Sequence, residues 1–257
     1  MRRRPRALRL IVVLALATSM AGCRPTGEVS PGASMNPPTA PSSTAPPSEN
    51  STAPGQTPIP GFEDWQLINP QAVRISVDGG TLVMDLIGSV IWFNPDKGVL
   101  LYRDVTGDFR ATATVRTSKA TDPSKPPGED GSVQLAGLMA RTEVPAENSV
   151  FIVSGSIGNS TGLETKTTES SRSIYIQRGL PTGGDAELRL CRIGSTFLLW
   201  WRHVDSNEDW THMSTLDRKD IPQTVQLGAN IYTDGVPDIV ARFEHLTVEP
   251  VPAGGGC

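Results

Sequence analysis

The chain is poor in the residues from which most catalytic centres are built. Its 257 residues include only three histidines, His203, His212 and His245. None forms a close zinc-ligand pair, so they read as surface or sheet residues. There is no Gly-x-Ser-x-Gly elbow. Ser154-Gly155-Ser156 and the following "SIGNSTG" are rich in glycine and serine, but no helical pattern follows them, which argues against a serine hydrolase. A phosphate-cradling glycine loop is also missing. No apolar run approaches the roughly 20 residues that cross a bilayer, and no segment has a convincing helical period.

What is present begins with "MRRRPRALRLIVVLALATSMAGC". Arg2, Arg3, Arg4, Arg6 and Arg9 precede an apolar run from Leu10 to Gly22, the layout of a bacterial secretory signal. The run ends in Met20-Ala21-Gly22-Cys23, which resembles a lipobox, although Met20 departs from the usual Leu. Small residues at Ala21 and Gly22 also suit an ordinary secretory signal. The presence of a cysteine at this point makes lipidation of Cys23 the expectation. Two or three acyl chains, at about 0.8 kcal/mol per buried methylene, anchor a protein stably. The expected location is the cell membrane, facing away from the cytoplasm.

Loss of residues 1–22 leaves 18 basic against 27 acidic side chains, a net charge of −9. Such a surface is repelled by nucleic acid and by anionic lipid, so no nucleic-acid partner is expected and the membrane is reached through the lipid anchor. Residues 23–60 are dominated by Pro, Ser, Thr, Ala and Gly and read as a disordered tether. It would reach about 30–35 Å as a coil and up to about 110 Å as polyproline II. Residues 61–252 are long enough for one domain with a substantial core, and 253–257 form a supple tail. With Cys23 lipidated, Cys191 and Cys257 remain in an oxidising compartment, where they either pair or leave Cys191 as a buried thiol.

The domain reads as an antiparallel β-sandwich. Short alternating runs separated by Gly, Pro, Asp and Asn recur at Val73–Val77, Thr81–Asp85, Gly98–Tyr102, Phe109–Thr117, Val133–Thr142, Val150–Ser156, Ser173–Gln177, Ala186–Ile193, Thr196–His203, Val225–Tyr232 and Ile239–Val248. In "FRATATVRT", Phe109, Ala111, Ala113 and Val115 face the core.

Gly194-Ser195 marks a two-residue hairpin turn, which fixes the register of the runs on either side. Leu190 then opposes Leu199 and Leu188 opposes Trp201 on the core face. On the other face Cys191 opposes Leu198, Arg189 opposes Trp200, and Glu187 opposes Arg202. Trp201 is therefore structural, whereas Trp200 is either a cation–π partner of Arg189 or a platform for a ligand. Trp210, just past the turn-like "DSNED", is expected to fold back over the sandwich edge. Asp205, Asn207 and Asp209 have the spacing that opens a calcium loop. Trp210 stands where Gly is needed and Leu216 where Glu is needed, so Ca²⁺ is a weak candidate and no other cofactor is indicated.

"GDFRATATV" (Gly107–Val115), "AGLMAR" (Ala136–Arg141), "LRLCRIGSTFLLWW" (Leu188–Trp201), "DSNEDW", "VQLGAN" (Val225–Asn230) and "ARFEHLTV" (Ala241–Val248) occur in an order that resembles bacterial modules of the concanavalin A-like lectin/glucanase superfamily, in a branch similar to β-xylosidase C-terminal and laminin-G-like jelly rolls. The resemblance covers residues 62–248 and implies two stacked, curved antiparallel sheets. In relatives that bind glycans, the concave sheet or its rim loops hold the ligand. The glucanases of this superfamily carry Glu-x-Asp-x-Glu, or a version one residue longer, on one strand, and neither occurs here. The acidic groupings Glu63-Asp64, Glu129-Asp130, Glu164 to Glu169 and Glu208-Asp209 fall in expected loops or at the wrong spacing, so the chain is not expected to be an enzyme.

The leading expectation is a tethered glycan-binding or adhesion module using Trp200, Arg189 and Arg202, with Gln134 as a further polar contact. A structural or protein-interaction lipoprotein contacting an envelope protein is the alternative, and a glycosidase with an atypical site comes third.

Overall fold

The computed structural model describes residues 59–128, 131–142, 147–180, 183–252 and 254–257. Cys23, the signal-like segment and the tether up to residue 58 lie outside these, as does the Glu129-Asp130 grouping. Among the described residues no helix is long and apolar enough to cross a membrane. The chain runs through β1 (Gln66–Ile68), a 3₁₀ turn (Pro70–Ala72), β2 (Val73–Asp78), β3 (Thr81–Leu86), β4 (Val99–Thr106), β5 (Phe109–Ser118), β6 (Val133–Arg141) and β7 (Ser149–Ile157). It continues through β8 (Ser160–Glu169), β9 (Arg172–Gly179), β10 (Ala186–Ile193), β11 (Thr196–Arg202), β12 (Thr211–Asp217), β13 (Thr224–Thr233) and β14 (Val240–Pro250).

These strands form two seven-stranded antiparallel sheets, ordered β1-β4-β13-β6-β7-β8-β9 and β12-β11-β10-β5-β14-β3-β2. Alternation explains most of them. β5 buries every second residue, with Phe109, Ala111, Ala113 and Val115 inward, and β11 does the same with Phe197, Leu199 and Trp201. Leu188, Leu190, Met84 and Phe243 of the second sheet complete its inner face. They meet Leu101, Leu138, Ile152, Leu227 and Ile231 of the first in one core.

The Gly194-Ser195 turn produces the expected register, with Ile193 opposite Thr196 and Leu188 opposite Trp201. Gly194 has a φ of 61°, which a side chain adopts only at a cost. At Gly228 the constraint is space rather than φ. A Cβ there would lie 1.9 Å from the Leu101 carbonyl oxygen of the neighbouring β4.

β1, β8 and β12 are strands that the alternation did not disclose. β8 places Glu164, of the grouping Glu164 to Glu169, in mid-strand, opposite Val153 and Gln177. A second apolar cluster lies on the outer face of the first sheet, where Trp92 packs with Leu100, Tyr102, Leu135, Met139, Phe151, Val153 and Tyr232. The strand β9 is one edge of that sheet and exposes Ile174 (71%), Tyr175 (51%) and Ile176 (56%).

Candidate functional site

The outer face of the second sheet carries the side chains that the hairpin register turns away from the core. Two irregularities shape it. The β11–β12 pairing shifts between Leu199 and Trp200, and the β14–β5 pairing shifts between Glu244 and Thr247, where His245 has a φ of 53°. Such bulges re-aim side chains locally. Beyond β11 the chain turns through Asp205, also left-handed at φ 54°, and brings Trp210 over the same face. The result is an open cleft of about 410 Å³, floored by Thr112 and Thr114 and lined by Arg189, Arg202, Trp210 and His245.

Arginine on indole is the central arrangement. The guanidinium carbon of Arg189 lies 3.9 Å from the centre of the Trp210 ring, and that of Arg202 lies 4.7 Å from it. Arg202 is fixed by Glu187, with Nε and Nη2 donating to the same carboxylate oxygen at 2.8 and 2.6 Å. On the other side Arg116 holds two lining carboxylates, Asp205 at 2.9 Å and Glu244 at 3.1 Å. Hydrogen bonding to Asp205, reinforced by Glu244, raises the Arg116 pKa against its partial burial. Behind it, burial lifts Asp185 above the usual carboxylate range despite its bond from the Thr117 amide.

Arg189 is less fully matched. Its Nη1 donates to the main-chain oxygen of Cys257 at 3.3 Å, and its Nε is buried without a partner. Burial lowers its pKa, and the neighbouring Arg110 and Arg202 add to that effect. A disulfide between Cys191 and Cys257 keeps the tail at this position.

Several expected residues are brought together here and others are not. Arg189 and Arg202 share the cleft. Trp200 stands on the same face, but its ring meets His212 edge-on at 4.8 Å, and the guanidinium beside it stacks on Trp210 instead. Gln134 does not belong to this face. It lies on β6 in the other sheet, buried, donating to the Val236 carbonyl and accepting from the Asp238 amide. The strands flanking the β10–β11 hairpin are β5 and β12, so β6 has no route to it. Asp205 is held by Arg116, and the described residues include no group of three His, Cys, Asp or Glu close enough to hold a metal ion.

A second polar locus, on the outer face of the first sheet, escaped the sequence reading. Lys166 and Glu164 are 4% and 3% exposed and 3.2 Å apart. Tyr232 donates to one Glu164 oxygen at 2.8 Å and Gln177 to the other at 2.8 Å. Lys166 also donates to the Trp92 carbonyl at 2.8 Å. Burial pushes the Lys166 pKa down against the pull of Glu164, and burial foremost, then Glu164, pushes Tyr232 well up. The only sequence signal was the alternation of Glu164, Lys166 and Thr168 within a threonine-rich run.

No known protein family matches the chain, and no curated protein matches it in sequence. Solved structures do. A functionally unknown protein from Saccharomyces cerevisiae superposes with a TM-score of 0.57 at 14% identity, covering 74% of this chain and 97% of its own. A xylan β-1,4-xylosidase from Bacillus halodurans C-125 gives 0.53 at 14% identity, covering 82% of this chain and 41% of the xylosidase. The GH43 BlXynB protein of Bacillus licheniformis gives 0.51 at 12% identity, covering 70% of this chain and 35% of that protein. The chain thus spans less than half the length of either Bacillus protein. At these identities the likeness is one of fold: a β-sandwich distantly related to those of carbohydrate-active proteins.

This finding corrects the expectation that the chain is not an enzyme. That expectation rested on the missing Glu-x-Asp-x-Glu, but the same fold occurs within a xylan β-1,4-xylosidase and a GH43 protein and is enzyme-associated. The motif's absence bears on one glucanase mechanism and is no test of catalysis in general.

Proposed function

We propose that this protein is an extracytoplasmic lipoprotein, anchored through Cys23, whose concanavalin A-like sandwich binds polysaccharide in the cleft of the second sheet. The observation that carries this reading is the stack of Arg189 and Arg202 on Trp210 within an open cleft. A saccharide needs an aromatic or planar surface for its C–H face and fixed donors for its hydroxyls. The planar guanidinium groups stacked on Trp210 supply the first requirement, and their N–H donors together with Thr112 and Thr114 supply the second. Arg202 and Arg116 are held by carboxylates, so little side-chain entropy remains to be lost on binding. Trp200 extends the same face toward His212.

The test is a glycan array probed with wild type, Trp210→Ala and Trp200→Ala. Binding that disappears in Trp210→Ala, with cooperative unfolding retained, supports the cleft. Binding that survives both changes removes it. Labelling with a palmitate analogue, lost in Cys23→Ala, tests the anchor. A second reading, contact with an envelope protein, is favoured by the exposed Ile174, Tyr175 and Ile176 on the free edge of β9.

A further inference from the structure

Strand β9 is the longest of the four edge strands among the described residues, with eight residues against three in β1, six in β2 and seven in β12. It pairs with β8 from Arg172 to Gly179 without a register shift and contains no proline, so neither a bulge nor a missing N–H interrupts its outer side. Hydrogen bonds near its two ends show which main-chain groups turn outward. Leu180 N donates to Thr161 O at 2.9 Å, in continuation of the β8–β9 register, and Ser173 N donates away from β8 to the side-chain oxygen of Asn94 at 3.2 Å. Bonded and unbonded pairs alternate along an antiparallel ladder. Arg172, Ile174, Ile176 and Arg178 therefore bond to β8, whereas Tyr175 and Gln177 direct both N–H and C=O away from the sheet.

The side chains divide as regularly. Gln177 donates to Glu164, and the Tyr175 ring centre lies 5.7 Å from the Lys166 Nζ, which places both on the outer face. Ile174 and Ile176 turn the other way, in a row with Arg172 and Arg178, and the Arg178 guanidinium lies 5.5 Å from the ring centre of the core Trp201. This row borders Thr165, whose hydroxyl meets that of Ser214 on β12 at 3.0 Å, and beyond that contact the two isoleucines are left exposed. Arg172 and Arg178 are exposed as well, and among the described residues neither is in an ion pair. A chain with 27 acidic against 23 basic side chains thus keeps two uncompensated cations at the ends of one apolar edge.

We propose that β9 receives an added strand from a partner protein: an extended antiparallel segment with two apolar side chains, alternating with polar ones, and a carboxylate at either end. Tyr175 and Gln177 supply four main-chain hydrogen bonds, Ile174 and Ile176 meet the apolar side chains, and Arg172 and Arg178 pair with the carboxylates. Asn94 already occupies the Ser173 N–H and so limits the ladder at that end. Charge selects this occupant over a second copy of the chain. Symmetric pairing centred on Tyr175 sets Arg172 against the other copy's Arg178 twice over, and pairing centred on Ile176 leaves every one of these arginines without a carboxylate opposite. The inference rests on the reading of this edge as a protein contact and is independent of the Trp210 cleft.

The probes are two labelled synthetic peptides, Glu-Thr-Val-Thr-Val-Thr-Glu and Lys-Thr-Val-Thr-Val-Thr-Lys, titrated into the full chain by fluorescence anisotropy, with amide hydrogen exchange followed by NMR. The acidic peptide should bind about ten-fold more tightly than the basic one, and Arg172→Glu combined with Arg178→Glu should invert that order. Bound acidic peptide should slow exchange at Tyr175 and Gln177 and leave Ile174 and Ile176 unchanged, since these two already bond to β8. N-methylation of the peptide's threonines should abolish binding and N-methylation of its valines should spare it, because only the threonine amides face β9 in this register. Binding that survives methylated threonines would overturn the proposal. Charge-indifferent binding that still protects Tyr175 and Gln177 would overturn the acidic partner while keeping the edge as a protein contact, and no protection by either peptide would remove both. A concentration-dependent dimer in sedimentation, dissolved by Ile176→Lys, would give the edge to a second copy and overturn the proposal.

Discussion

The guanidinium of Arg189 stacks on Trp210, 3.9 Å from its ring centre, although Trp210 is 21 residues further along the chain and Trp200 is its cross-strand neighbour. This contact closes the excursion between β11 and β12 onto the sheet. A double-mutant cycle of Arg189→Ala and Trp210→Ala should therefore give a coupling of about 0.5–1 kcal/mol, measured by denaturant unfolding. Strict additivity would show that the stack contributes nothing.

The adjacent tryptophans of β11 should separate cleanly. Trp201 is in the core at 7% exposure, and Trp201→Ala should cost about 3–5 kcal/mol. Trp200→Ala loses mainly the edge contact with His212 and should cost about 1 kcal/mol. Trp200→Phe keeps an aromatic ring and removes a buried N–H that has no partner, so it should be close to neutral. Thermal unfolding of the three variants gives the ranking.

Replacing Cys191 and Cys257 together by alanine opens a loop spanning a separation of 66 residues. The chain-entropy treatment gives a loss of up to about 4 kcal/mol. The same change releases the Cys257 oxygen from Arg189. Mass spectrometry under non-reducing conditions checks the bond, and guanidinium unfolding checks the loss.

Asp220 predicts a component of acid sensitivity. Its pKa is lowered, chiefly by the hydrogen bonds from Arg218, so its contribution is complete above the unfolded carboxylate value of about 3.9 and is lost as pH falls through the lower folded value. Arg218 also donates to the main-chain oxygens of Ser149 and Thr168, which ties this loop to the first sheet. Unfolding midpoints followed from pH 6 to below pH 3 should fall more steeply for the wild type than for Asp220→Asn. Parallel curves would remove the assignment.

The sequence disclosed strands wherever one face is apolar and the other polar. β5 and the β10–β11 hairpin are of this kind, and the Gly194-Ser195 turn was enough to pair Arg189 with Trp200 in register. β8 was hidden because both its faces are polar: Thr165 meets Ser214 in the interior while Glu164 and Lys166 pair on the outside. A hydrophobic period cannot register a strand whose partners are hydrogen bonds. The destination of Trp210 and the misplacing of Gln134 share another cause. Both depend on which strands become neighbours, and that is settled by contacts distant in sequence, such as β14 lying beside β5. Face and hairpin pairing could be inferred locally, but adjacency between strands distant in sequence could not.

The order of the strands constrains how the molecule can be made. β13 inserts between β4 and β6, and β14 between β3 and β5, so each sheet receives an interior strand from the last quarter of the sequence. A nascent chain ending before residue 224 would leave β3, β4, β5 and β6 each with an unpaired side that the finished sandwich closes. Neither half can mature ahead of the other, and folding must wait for pairings of high sequence separation, which are slow to close. A chain with this wiring cannot close either sheet until β13 and β14 have emerged.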